Sequence, residues 1–173
     1  MGPSRLQLTK PVIAAVEGYA VAGGIELALW CDLRIATEGS RLGFTERRFG
    51  VPLIDGGTQR LPRIVGLGRA LDLILSGRVL ETDEALALGL VGEVVLPGRH
   101  VARALEIAER LAAFPQAAML ADRRAVHDGL GLPLADGLAL EARGAGATFA
   151  DAEAGASRFA AGEGRGGAGT GVQ

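Results

Sequence analysis

A glycine pair that opens an apolar segment can present backbone N–H groups to a negatively charged oxygen. In GYAVAGGIELALWCDL, Gly23 and Gly24 precede a run that reads as a buried helix. The first N–H groups of a helix have no acceptor within it, and glycine lets another molecule approach that backbone closely. Together with the positive end of the helix dipole, this arrangement suits a developing oxyanion. The alternative is that the glycines serve only close packing of the helix against a sheet.

Two glutamates add ionisable groups that could take part in chemistry. Glu26 follows Gly23 by about one helical turn and faces the region above the helix start. A carboxylate in so apolar a helix is costly unless it is paired or functional; otherwise it is a first-turn acid favoured by the dipole or part of a capping arrangement. Glu46 lies in a loop bordered by Gly43 and Gly50, where a glutamate is more often simply solvated. From the residues alone, each glutamate could have either a catalytic role or a purely structural one.

The elements around Gly23 and Glu26 predict an α/β arrangement. PVIAAVEG, Pro11–Gly18, is a short apolar run that ends at a glycine, which is typical of a buried strand. Gly23–Asp32 is apolar nearly all round, so we expect a helix that is buried on most sides. LRIAT, Leu33–Thr37, predicts a second strand. Strand, helix and strand so close together indicate a helix that crosses over a sheet.

A loop and further helices are predicted after the second strand. The loop spans Gly43–Gly57, and an amphipathic helix begins near Thr58. Asp55 is well placed to cap that helix. Gly66 and Gly77 are expected to end helical segments, because glycine is the usual residue just past a helix C-terminus.

One more helix and one more strand are predicted before the pattern becomes entirely helical. Thr82, with two acids after it, predicts a helix start, and Gly89 its end. VGEVVL, Val91–Leu96, predicts a short strand. From Val101 to about Ala161 the apolar residues keep helical spacing and show no strand pattern.

These signals divide the chain into three predicted parts. Residues 1–97 form an α/β core, residues 98–161 a C-terminal helical region, and residues 162–173 a flexible glycine-rich tail. The tail contains a G-x-G-x-x-G spacing at Gly162, Gly164 and Gly167. A dinucleotide site needs a strand before that spacing and a helix after it, and the sequence predicts neither.

Composition argues against several classes of function. The formal net charge of −2 gives no electrostatic case for binding nucleic acid or a membrane, and no apolar run approaches the length of a membrane span. His100 and His127 are widely separated, so no metal site is expected. Cys31 is the single cysteine, and the first ten residues lack the layout of a signal peptide. We therefore expect a cytoplasmic protein.

The chain from about Lys10 to Pro97 resembles the crotonase family, the enoyl-CoA hydratases and isomerases. KPVIAAVEGYAVAGGIELALWCDLRIAT is similar to the family's central signature, in which a strand leads through a glycine-rich turn into an E-L-A-containing helix and then C-D. FGVPLIDGGTQRLPRIVGLGRALDLILSGR and ETDEALALGLVGEVV resemble the segment that follows. The resemblance implies a ββα spiral followed by C-terminal helices used for trimer assembly. A homotrimer or a dimer of trimers is therefore expected.

The resemblance also implies roles for individual residues. Gly23, with Ala22 and Gly24 beside it, aligns with the glycine whose N–H is one of two oxyanion donors to a thioester carbonyl. Glu26 and Glu46 align with the two glutamates of the hydratases. One carboxylate would deprotonate a water, and a carboxylic acid would protonate Cα of an enoyl-CoA. The implied partner is an acyl-CoA thioester, with no cofactor besides the CoA of the substrate. Retention of both glutamates favours hydration over isomerisation.

The front of the chain departs from the family. Family members carry roughly a further half-length of chain before the strand at Pro11, and MGPSRLQLTK does not replace it. The resemblance assigns to that part the early turns of the spiral, the site for the adenine end of CoA and the second oxyanion donor. Loss of one such donor lowers catalysis by about 10²–10³-fold. A truncated hydratase, a chain completed by a partner and a non-catalytic subunit are the alternatives.

Two groups of side chains near the predicted site have open assignments. Val51, Leu53 and Ile54 either line the acyl pocket or belong to the core. Arg60 and Arg63 either meet the phosphates of CoA or form a solvated helix face, and the solvated face is the favoured interpretation.

Overall fold

The computed structural model describes residues 2–162 of the 173-residue chain. Its contacts divide the chain between Ala108 and Glu109 into two compact units. The first unit mixes helices with strands, and the second is helical. The three-part division with a boundary after residue 97 stays a prediction, and all but the first residue of the predicted tail lies outside the described residues.

The first unit alternates short strands with helices in chain order. Two 3₁₀ turns accompany them, at Pro3–Arg5 and at Thr45–Phe49. The regular elements are β1 (Ile13–Val16), β2 (Tyr19–Val21), α1 (Gly23–Trp30), β3 (Leu33–Thr37), β4 (Arg41–Gly43), α2 (Gly57–Val65), α3 (Leu67–Ser76), β5 (Val79–Glu81), α4 (Thr82–Ala87) and β6 (Glu93–Val95). A long helix, α5 (His100–Ala113), crosses the division between the units.

The strands form two three-stranded sheets. In the first sheet the order is β1-β3-β6 and all pairs are parallel, with Ile13 beside Leu33 and Ile35 beside Glu93. This pairing, with α1 between β1 and β3 in the chain, confirms the predicted crossover. In the second sheet the order is β2-β4-β5, and β4 runs parallel to β2 and antiparallel to β5. The sequence did not predict any strand of this second sheet, because the three residues of each are too few to show alternation.

The turn before α2 differs from the predicted capping arrangement. The helix begins at Gly57 after Gly56, whose φ of 105° is readily adopted only by glycine. No side chain caps this helix start, so the assignment of Asp55 as its cap is wrong. The Asp55 carboxylate instead accepts a hydrogen bond from Ser4 Oγ at 3.1 Å. The predicted helix ends are confirmed, since Gly66 follows α2 and Gly77 follows α3.

The core of the first unit lies around α1. Ile25 and Leu29 on that helix are buried together with side chains of both sheets and of α2, α3 and α4. Other buried members are Leu42, Phe44, Leu61, Leu73 and Leu80. Leu27 departs from the expected all-round burial and is 42% exposed, because it lies on the face of α1 opposite the core.

Helices account for the regular structure that the model describes in the second unit. They are the end of α5, then α6 (Gln116–Gly129), α7 (Leu134–Ala145) and α8 (Phe149–Ala160), with a 3₁₀ turn, Gly146–Thr148, before α8. α6 packs against α7, and residues 130–133 join the two helices. None of the helices within residues 2–162 has the length and apolar character needed to cross a membrane.

Candidate active site

The start of α1 presents backbone donors that have no acceptor among the described residues. Ala22 precedes the helix with φ 55° and ψ −132°, and within residues 2–162 no other non-glycine residue has a positive φ. Its N–H donates to Gly43 O at 3.0 Å, which fixes the entry into the helix. The N–H groups of Gly23 and Gly24 have no acceptor in the described part of the chain. A Cβ on Gly24 would meet no atom within 4 Å, so the backbone there is open to another molecule.

Glu26 lies one turn further on and is held by two backbone donors. The residue is 2% exposed. Its Oε1 accepts hydrogen bonds from the N–H of Asp55 at 3.0 Å and of Gly57 at 2.8 Å. Gly57 is the first residue of α2, so the carboxylate binds a donor that has no partner inside that helix. Oε2 of Glu26 has no donor among residues 2–162, which leaves one oxygen for a ligand.

Glu46 is also buried but has no such partners. It lies in the 3₁₀ turn Thr45–Phe49 and is 7% exposed. Neither carboxylate oxygen has a hydrogen-bond partner in the region that the structure describes. Burial raises the pKa of Glu46, and the negative charge of Glu26 raises it further, whereas the dipole of its own N–H and the charge of Arg47 oppose the shift in part. Glu46 is therefore suited to hold a proton where an exposed glutamate would lose it.

The two predicted glutamates belong to one neighbourhood. The negative charge of Glu26 raises the pKa of Glu46, as expected for two carboxyl groups within electrostatic range of each other. The ring of Phe44, just before the turn that holds Glu46, lies against Gly57, which binds Glu26. The structure thus brings Glu26 and Glu46 together within the first unit, with Gly23 and Gly24 one turn before Glu26 on α1.

Arg60 stabilises the turn that binds Glu26. The side chain is half-buried, and it donates to Asp55 O at 2.8 Å and to Ser4 O at 2.7 Å. The favoured interpretation of Arg60 as part of a solvated helix face is therefore wrong. Arg63, by contrast, is exposed and donates to a carbonyl of its own helix.

The apolar side chains of the preceding loop divide into two groups. Leu53 packs against the core. Val51 and Ile54 are 49% and 61% exposed. The core interpretation therefore holds for Leu53 alone among the three.

An unpredicted feature is a segment that covers the start of α1. Ser4, in the 3₁₀ turn Pro3–Arg5, is 2% exposed, and Trp30 Nε1 donates to Leu6 O at 2.9 Å. A cavity of about 60 Å³ lies beneath this segment and is lined by Pro3, Ser4, Gly23, Leu27 and Asp55. The sequence contains no local signal for these contacts, because their partners are distant along the chain.

Metal binding has no evident place in this neighbourhood. Over residues 2–162, no three side chains of His, Cys, Asp and Glu are grouped so that they could hold a metal ion. Among the described residues, the two carboxyl groups and the N–H groups at the start of α1 are placed for chemistry.

The fold and these residues define a protein of the crotonase class. The chain belongs to the enoyl-CoA hydratase/isomerase family, whose model matches residues 4–164. This membership confirms the resemblance seen in the sequence. It also confirms the expected α/β fold as part of a crotonase domain.

Curated relatives and solved structures are similar to most of this chain. A probable enoyl-CoA hydratase of Rhizobium meliloti is 47% identical over 134 residues, which cover 78% of this chain and 52% of the relative. A short-chain-enoyl-CoA hydratase of Clostridium acetobutylicum is 41% identical, over 82% of this chain and 54% of the relative. The crystal structure of an enoyl-CoA hydratase from Mycobacterium marinum is 36% identical and superposes with a TM-score of 0.86, over 91% of this chain and 63% of that one. The chain thus spans about half the length of the curated relatives it matches.

Proposed function

We propose that this chain bears the catalytic carboxylates of an enoyl-CoA hydratase, which adds water across the α,β double bond of an acyl-CoA thioester. The observation on which the proposal depends is a pair of buried carboxyl groups in opposite environments, beside a helix start with free N–H groups. Glu26 accepts two backbone hydrogen bonds, whereas Glu46 accepts none from residues 2–162. Relatives named as hydratases, 41–47% identical, support the same reaction.

The opposite environments suggest which glutamate acts as base and which as acid. Oε1 of Glu26 is held by Asp55 and Gly57, so Oε2 is the atom that would take a proton from the attacking water. The hydroxide so formed bonds to Cβ, and the electrons of the double bond move towards the thioester carbonyl. Glu46, whose pKa is raised by burial, then gives its proton to Cα. Return of the proton from Glu26 to Glu46 completes the cycle.

The enolate formed between these steps needs stabilisation of its oxygen. The N–H of Gly23 at the start of α1 is the proposed donor, with Gly24 leaving the approach open and Ala22 setting the helix entry. A preorganised N–H donor of this kind contributes about 10²–10³-fold in rate. Pro3 and Ser4 lie beside this position, where they line a cavity of about 60 Å³ together with Gly23.

Hydration of crotonyl-CoA by the purified chain tests the proposal. Loss of the absorbance of the conjugated thioester gives the rate, and a product heavier by one water distinguishes hydration from isomerisation of the double bond. We expect turnover whose rate Glu46→Gln and Glu26→Gln each lower by about 10²–10⁴-fold, while the circular dichroism spectrum is unchanged. An unchanged rate in both variants would refute the proposed roles.

A partner-dependent subunit is the second candidate, favoured by the sheet edges. Within the described residues, β1 pairs only with β3, and β2 pairs only with β4, so each has one unpaired edge. Such edges are suited to accept a further strand. A folded chain without turnover would favour this candidate over an autonomous hydratase.

Assembly and location complete the proposal. A homotrimer or dimer of trimers follows from the family resemblance, and it is supported by large exposed apolar side chains in the second unit, such as Leu134, Leu138 and Phe149. Light scattering on the purified protein would measure its mass and so test the number of subunits.

A cytoplasmic location is proposed because Cys31 is a free thiol, which a reducing compartment preserves.

A further inference from the structure

Gly57 donates a hydrogen bond to Glu26, and its lack of a side chain leaves room for the Glu26 carboxylate. Its N–H donates to Oε1 of Glu26 at 2.8 Å, the shorter of the two bonds to that oxygen. A Cβ built on Gly57 would lie 2.9 Å from the same oxygen and 3.1 Å from Cγ of Glu26. Both distances are shorter than ordinary van der Waals contacts, so any side chain at this position must displace the carboxylate.

The surroundings of Gly57 leave little room for relaxation. The same Cβ would lie 3.1 Å from Cε1 of Phe44, a fully buried ring. Gly57 itself is buried at the first position of α2. Movement away from Glu26 therefore meets the core, and movement of Glu26 breaks its hydrogen bonds.

The second donor to Glu26, the N–H of Asp55, is held in place by a separate hydrogen bond from Arg60. Asp55 N–H donates to Oε1 at 3.0 Å, and the carbonyl of Asp55 accepts from Arg60 at 2.8 Å. Gly56 between them has the left-handed φ of 105° that turns both N–H groups towards one oxygen. The turn of residues 55–57 is thus a two-donor clamp on a single carboxylate oxygen.

We propose that Gly57 is a positioning residue for Glu26: its N–H and its lack of a side chain hold Oε1 so that Oε2 faces the reacting water. This inference rests on the proposed function for its catalytic consequence, but the clamp itself is testable without turnover. Gly68 provides a matched control, because it is also a first-turn helical glycine and a Cβ there would meet no atom within 4 Å.

Amide hydrogen exchange tests the clamp. In the unmodified chain we expect the N–H of Asp55 to be protected by its bond to Glu26. Gly57→Ala should remove that protection, because the new Cβ displaces the carboxylate from an unmutated reporter. Gly68→Ala should leave it intact. Equal protection of Asp55 in both variants would overturn the inference.

Steady-state kinetics with crotonyl-CoA test the catalytic consequence. Gly57→Ala should lower kcat by about 10²-fold with little change in KM, as expected when a catalytic group is displaced by about 1 Å. Gly68→Ala should change neither constant. Glu26→Asp, which shortens the side chain, should lower kcat less in the Gly57→Ala background than in the unmodified chain.

The kinetic outcomes separate the two proposals. A Gly57→Ala variant as active as Gly68→Ala would overturn the positioning role. If the unmodified chain does not turn over, the proposed function fails, and the amide exchange of Asp55 alone then decides whether the clamp exists.

Discussion

Glu26 and Glu46 are both buried, yet the regions around them differ in local structure and in the hydrogen bonds that they offer the carboxyl group. Glu26 lies in a regular helix and accepts two N–H groups from the turn of residues 55–57. Glu46 lies in a 3₁₀ turn, and neither of its oxygens has a partner among the described residues. Burial alone therefore does not define the role of a carboxyl group, since hydrogen-bond donors stabilise its charged form and their absence favours the neutral form.

The largest expected effect is on the pH dependence of turnover. An enzyme whose general acid must be protonated loses activity as the pH rises through the pKa of that acid. The raised pKa of Glu46 should therefore define the alkaline limb of kcat/KM. Glu46→Gln should lower the rate by about 10²–10⁴-fold and abolish that limb. The residual activity of Glu26→Gln should retain it. Stopped-flow assays from acid to alkaline pH give both profiles, and a limb that persists in Glu46→Gln would assign it to another group.

Paired alanine substitutions compare the two regions by stability. Glu26→Ala leaves the N–H groups of Asp55 and Gly57 buried without an acceptor, which costs about 1–3 kcal/mol for each donor. Glu46→Ala removes a side chain of the same size without breaking a bond of this kind. Urea unfolding should therefore show a larger loss of unfolding free energy for Glu26→Ala. Equal losses would mean that the two environments do not differ energetically.

The pH dependence of stability gives a third comparison. The folded chain holds the proton of Glu46 more tightly than the unfolded chain, because burial raises the pKa above its ordinary value of 4.5. The folded state thus binds more protons from pH 4.5 up to the raised pKa, and its stability falls as the pH rises through that window. We expect this decline to be present in the unmodified chain and reduced in Glu46→Gln, measured by urea unfolding at successive pH values. An identical slope in both would contradict a raised pKa.

The smallest effect is expected at the entry to α1. Ala22 has φ 55° and ψ −132°, a conformation that is strained for any residue with a Cβ. Ala22→Gly should relieve the strain but increase the entropy of the unfolded chain, so that the net gain is about 1 kcal/mol or less. Thermal unfolding would measure the difference. A loss of stability in Ala22→Gly would show that the strain at Ala22 is smaller than the entropic cost of adding a glycine.

Local sequence patterns predicted the elements that hold the site. LRIAT was predicted as a strand and is β3, and the helix behind the glycines is α1, ending two residues earlier than expected. Gly66 and Gly77 mark helix ends because they have positive φ values, 82° and 61°, that glycine adopts readily. These features depend on neighbours in the chain, so the sequence contains the information directly.

Contacts between distant residues could not be predicted in this way. The donors to Glu26 lie 29 and 31 positions away in the sequence, at Asp55 and Gly57. Asp55 is of a residue type that often caps helices, but Gly56 occupies the cap position and the Asp55 carboxylate accepts a hydrogen bond from Ser4. The partners of buried polar groups depend on how elements pack, which propensity and periodicity do not encode. The catalytic roles of Glu26, Glu46 and Gly23 stay predictions.

The bond between Trp30 and Leu6 gives the protein an internal optical probe. Trp30 is the single tryptophan of the chain, and its indole N–H donates to the carbonyl of Leu6, next to the segment that covers Gly23. Indole emission depends on the hydrogen bonding and hydration of the ring. The wavelength of maximum tryptophan emission therefore reports whether residues 3–6 pack against the start of α1 or have moved away from it, and no label is needed.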